Sequence, residues 1–90
     1  MDEKIAGITK HLQDRFPSAP VEAKPETPDQ FRFRIGDVPP AMFLDLEYEF
    51  VKDSSLSEIL RQLGDHDLEA LFPETGTVKF RVSDGRINKV

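Results

Sequence analysis

The sequence predicts an α+β domain with a three- or four-stranded mixed sheet (order 1-2-3), helices packed on one face and topology α-β-β-α-α-β, with room for a C-terminal hairpin. Three observations predict it. Three segments alternate apolar and polar residues, three others repeat apolar residues every three or four positions, and the polar faces of the alternating segments run basic, acidic, basic. At 90 residues the chain suits one domain spanning 1–90.

Ile5, Ile8, Leu12 and Phe16 form one stripe of a helix over about Asp2 to Arg15, which Pro17 stops. Gly7 and Thr9 weaken it, so it must dock its stripe to persist. Residues 17–29 hold four of the seven prolines and read as an extended, proline-rich connector, with a short edge strand at Val21 to Lys24 as the alternative. Pro17-Ser18-Ala19-Pro20 and Pro25-Glu26-Thr27-Pro28 both match Pro-x-x-Pro, a pattern too short to separate a ligand from a linker.

Gln30 to Ile35 alternates with Phe31, Phe33 and Ile35 on one face and Arg32 and Arg34 on the other, the first strand. After Gly36 to Ala41 the pattern resumes as Met42, Leu44, Leu46, Tyr48 and Phe50 against Asp45, Glu47 and Glu49, a second strand hairpinned to the first. Ser55-Leu56-Ser57-Glu58 has the form of a capping box and opens a helix with the stripe Leu56, Ile59, Leu60 and Leu63. Gly64 is its expected C-terminal cap, and Asp65 is the expected cap of a shorter helix carrying Leu68, Leu71 and Phe72. Thr77 to Val82 is the third strand. Asp84-Gly85 reads as a two-residue turn that would set Ile87 against Val82.

Opposite charges on neighbouring strands stabilise a sheet by roughly 0.2 to 1 kcal/mol per pair, so the acidic second strand belongs between the two basic ones. A right-handed crossover then makes the second and third strands parallel. That arrangement resembles type II KH-like domains in topology. The resemblance implies a Gly-x-x-Gly loop that clamps nucleic acid, but the corresponding bend here is Gly64-Asp65-His66-Asp67, with aspartates where phosphate would approach.

Seventeen acids against twelve bases give a net charge of −5, which opposes nonspecific attraction to nucleic acid or anionic membranes. The balance is uneven: residues 54–76 sum to −4 and residues 77–90 to +3, so the two segments should attract each other or face different partners. The absence of cysteine excludes disulfides, thiolate metal sites and a cysteine nucleophile. No window is apolar enough to span a membrane and the N-terminus lacks a secretory signal, so a cytoplasmic location is expected. Asp65-His66-Asp67 offers metal-ligand chemistry, but adjacent side chains diverge and the only other histidine is His11. Phe72-Pro73-Glu74-Thr75-Gly76 resembles a sortase signal without the hydrophobic span that signal needs, and reads as a helix stop and turn.

No nucleophile elbow, phosphate loop or dinucleotide fingerprint is present, so no catalytic residue, cofactor or metal is expected and the protein is read as a nonenzyme. Phe31, Phe33 and Phe80 point away from the neighbouring bases, which argues against a nucleotide-stacking sheet. The leading expectation is a small noncatalytic protein-interaction or regulatory domain whose partner is a protein, with a homodimer as one form of it. Its candidate surface is Arg32, Arg34, Asp45, Glu47, Glu49, Lys79 and Arg81. The alternatives are a nucleic-acid-binding KH-like domain and an acidic nucleic-acid mimic.

Overall fold

The computed structural model describes residues 2–27 and 29–90, with side chains for 2–24 and 29–90. The chain runs α1 (Asp2–Arg15), β1 (Val21–Thr27), β2 (Gln30–Ile35), β3 (Ala41–Glu47), α2 (Tyr48–Asp53), α3 (Leu56–Asp65), α4 (Leu68–Leu71), β4 (Thr77–Ser83) and β5 (Arg86–Lys89). The five strands form one mixed sheet in sequence order, antiparallel except for the parallel pair β3 and β4. The expected strand order therefore stands inside a larger sheet than the three or four strands expected. Arg32, Asp45 and Arg81 lie directly opposite one another across β2, β3 and β4, the basic, acidic, basic row that the charge pattern requires.

One core sits between the helices and one sheet face. Ile8 and Leu12 of α1, Phe50 and Val51 of α2, Ile59 and Leu63 of α3 and Leu68 of α4 pack there against Phe33, Ile35, Met42, Leu44, Leu46, Phe80 and Val82. Gly7 allows α1 to approach α3, since a Cβ there would fall 2.6 Å from a Leu56 methyl. Gly36, at φ 100, turns the chain out of β2, and a Cβ would meet the Pro40 carbonyl at 2.9 Å.

The structure decides one alternative and corrects four local expectations. The connector 17–29 contains the edge strand given as the alternative, lengthened to Val21–Thr27 as β1, and its register turns the Pro25 nitrogen outward, where no hydrogen bond to β2 is lost. The first Pro-x-x-Pro run is a turn after α1, and the second ends at Pro28, outside the described residues. The second predicted strand stops at Glu47, since its neighbour β2 begins at Gln30 and the Tyr48 N–H donates to the Asp29 carbonyl instead. Tyr48–Asp53 is helical instead, and it buries the adjacent Phe50 and Val51 in the core. Ser55 does cap α3 by accepting from the Glu58 N–H (3.1 Å), but the Glu58 carboxylate turns to Arg61 and Gln62 in place of completing the box. Gly64 and Asp65 lie inside α3, so the break falls at His66, and Asp67 caps α4 by accepting from the Ala70 N–H.

The C-terminal hairpin is formed. Val82 lies opposite Ile87 across the Asp84-Gly85 turn, as the turn predicts, and Gln62 fastens the turn to α3. The Gln62 side chain donates to Asp84 (2.8 Å) and accepts from the Gly85 N–H (2.7 Å). Its 8% exposure makes those bonds necessary rather than incidental.

Candidate functional site

The sheet face opposite the helices is the face of the predicted surface residues. Because Phe33, Ile35, Leu44, Leu46, Phe80 and Val82 point into the core, alternation turns Arg32, Arg34, Phe43, Asp45, Lys79 and Arg81 the other way. The hairpin adds Arg86 and Asn88, which lie opposite Ser83 and Arg81. Of the seven predicted residues, only Glu49 is absent from this face, because it belongs to α2. Glu47 ends β3 and lines a shallow opening with Asp29, Gln30 and Arg81.

The two halves of the face differ. On the β1 to β3 half the arginines are engaged. Arg32 grips Asp45 with two parallel hydrogen bonds, Nε to Oδ1 at 2.8 Å and Nη2 to Oδ2 at 3.0 Å, and its guanidinium lies 4.9 Å above the Phe43 ring. Asp45 is only 3% exposed, so this carboxylate is a buried component of the sheet and is closed to a partner. Arg34 pairs with Glu22 (3.0 Å) and reaches Asp37 (3.5 Å).

On the β4 to β5 half, Lys79, Arg81 and Arg86 have no ion pair among the described residues. Arg81 reaches only the Gln30 amide oxygen, at 3.5 Å, and both Arg81 and Arg86 are exposed. Three like charges gathered on one twisted ribbon raise the local positive potential and repel one another, a cost that an anionic ligand would relieve. The overall charge of −5 does not cancel this at short range, since salt screens charges beyond about 8 Å at physiological strength.

The acidic helical segment does not supply the missing counter-charges. Arg61 pairs with Glu58 and Asp65, Arg15 pairs with Glu69, and Asp67 caps α4. The Arg61 and Gln62 hydrogen bonds hold the Glu58 carboxyl down to about 2, and the Arg15 hydrogen bond holds Glu69 below the usual range. The contact between segments 54–76 and 77–90 runs instead through neutral Gln62.

Asp65, His66 and Asp67 diverge as the sequence suggests: Asp65 turns to Arg61, Asp67 to the α4 backbone, and the His66 carbonyl accepts from Arg15. Among the described residues no group of three or more metal-ligating side chains converges. Half-buried His11 leaves its enclosed Nε2 without a hydrogen bond among the described residues, and burial, followed by Arg15, pulls its pKa below 6.5.

Sequence reasoning missed Phe43, Arg86 and Asn88. Phe43 is the one aromatic residue on this face among the described residues, visible in the alternation as a conflict between Met42 and Leu44. Arg86 and Asn88 follow from the Asp84-Gly85 turn once its register is accepted. No described helix is long and apolar enough to cross a membrane. No family model, curated protein or solved structure matches the chain.

Proposed function

We propose that the protein is a noncatalytic, cytoplasmic interaction domain that holds an acidic stretch of a protein partner on the β4 to β5 half of its open sheet face. The observation that carries this reading is that Lys79, Arg81 and Arg86 have no ion pair among the described residues while Arg32 and Arg34, on the same face, are engaged. The cysteine-free composition supports the compartment, since nothing in the chain depends on an oxidising environment. A protein partner is favoured over nucleic acid because Phe43, the single ring on this face among the described residues, is covered by the Arg32 guanidinium and offers no free stacking platform. The net charge of −5 also opposes a long polyanion more than a short acidic segment.

Fluorescence anisotropy with a glutamate-rich octapeptide tests the reading. Binding at low salt should weaken as salt rises, and the double variant Arg81→Glu, Arg86→Glu should lose about tenfold or more. Equal binding by the double variant, or tighter binding of a single-stranded oligonucleotide of matched charge, would overturn it.

A further inference from the structure

The sheet has two outer edges, and their backbones offer different things to an incoming strand. On β1 the Gly36 N–H donates to the Pro20 carbonyl (2.8 Å), which fixes the phase of the ladder: Glu22 and Lys24 turn their backbone groups to β2, and Val21, Ala23 and Pro25 turn theirs outward. The Val21 N–H is already taken by the Gln13 side-chain oxygen (3.1 Å), and Pro25 has no N–H. Two of the three outward residues on this edge therefore offer no free donor, and Ala23 alone does, a partial protection against further pairing.

On β5 the Val90 N–H donates to the Lys79 carbonyl (2.9 Å). With Phe80 opposite Lys89, this fixes Arg86 and Asn88 as the residues bonded to β4, so the N–H and C=O of Ile87 and Lys89 point outward. Those groups have no hydrogen-bond partner among the described residues. The open edge therefore coincides with the cationic half of the face.

We infer that β5 accepts an extended acidic segment of the partner as a sixth strand, bonded to Ile87 and Lys89. This rests on the reading that the β4 to β5 half binds an acidic protein, and adds how it does so. Charge selects the occupant: a second copy pairing β5 with β5 would bring two Arg86 and two Lys89 side chains to one seam, whereas an acidic strand meets them with opposite sign. Alternation sets its pattern. Residues on the open face meet Arg86, while those on the other face lie on the side of Ile87 and Lys89, and a hollow of about 560 Å³ lined by residues of both faces, among them Phe43, Lys79, Val78, Phe80 and Lys89, adjoins the strand end. The fitting segment alternates acidic and apolar residues, with backbone bonds supplying affinity and the hollow supplying selectivity.

The test compares Lys89→Pro with Lys89→Gln for binding of an alternating Glu-Val octapeptide. Both variants remove the charge, but only proline removes the outward N–H, and at that position it breaks no bond to β4. The glutamine variant should bind about threefold more weakly than the wild type, the proline variant about tenfold more weakly again, and bound peptide should slow exchange of the Ile87 and Lys89 amides. Should proline disturb the hairpin, the wild-type protein with a peptide N-methylated at alternate residues should show the same tenfold loss. Equal binding by the two variants, or by the methylated and plain peptides, with unchanged amide exchange, would overturn strand addition and leave the acidic-partner reading standing. Absence of binding by both this peptide and a glutamate-rich one would overturn both.

Discussion

The β1 side and the β4 to β5 side of the sheet are built from similar residues and end in different states. Both carry arginines on the open face, and both finish in an edge strand. On the β1 side, Asp45, Glu22 and Asp37 engage the arginines, and Gln13 and Pro25 leave Ala23 as the one outward residue with a free donor. On the β4 to β5 side, the described residues make no such ion pairs and both Ile87 and Lys89 keep their outward donors. The difference teaches that residue type and position on a strand are a poor guide to an open surface: Arg32 and Arg81 sit in the same row, yet Arg32 is held against Asp45 and only Arg81 is exposed.

The largest expected effect comes from opening the closed side. Asp45→Ala removes the buried carboxylate that Arg32 grips and should cost about 3 kcal/mol of stability, measured by urea denaturation. Arg81→Ala, in the same row, should change stability by less than about 0.5 kcal/mol. Equal costs at the two positions would erase the distinction between the halves.

A smaller effect should follow at the β1 edge. The Gln13 amide donates to the Phe16 and Ala19 carbonyls (3.0 and 2.8 Å) while its oxygen accepts from Val21. Gln13→Ala should cost about 1 kcal/mol and speed hydrogen exchange at Val21. Unchanged exchange there would mean that the edge is not held shut by this side chain.

The smallest effect is in pH. His11 has a folded pKa below its unfolded value of 6.5, so the unfolded chain takes up protons first. The His11 contribution to stability is full above pH 6.5 and is lost as pH falls through the folded value. The Glu69 contribution is full above 4.5 and is lost as pH falls through its lowered folded value. His11→Leu should flatten the first of these slopes, as followed by thermal unfolding between pH 7 and 5, and a slope unchanged in the variant would exclude His11 as its source.

Helices α1, α3 and α4 and the β2, β3 and β4 core were legible because their information is local: Ile8 and Leu12, Phe33 and Ile35, Leu44 and Leu46 each fall on one face at the period of the element that holds them. The relative order of those strands was legible from charge, since Asp45 between Arg32 and Arg81 is a pairwise constraint written on one face. What was hidden depended on partners distant in sequence. Residues 21–27 become a strand because β2 lies beside them, Tyr48 leaves the sheet because β2 has run out, and the cap of the last helix falls at Asp67 because Arg61 holds Asp65. The site was half visible for the same reason. Arg32, Arg34, Lys79 and Arg81 are alike by residue type, and only the register says which of them meets a carboxylate.

The distinction between the two sides is tested most directly by following backbone amide chemical shifts during titration with an acidic peptide at low salt. Changes centred on Lys79, Arg81 and residues 86–89, with Arg32 and Arg34 little altered, are the result this account predicts. Changes centred on Arg32 and Arg34, or spread evenly over the sheet, would contradict it.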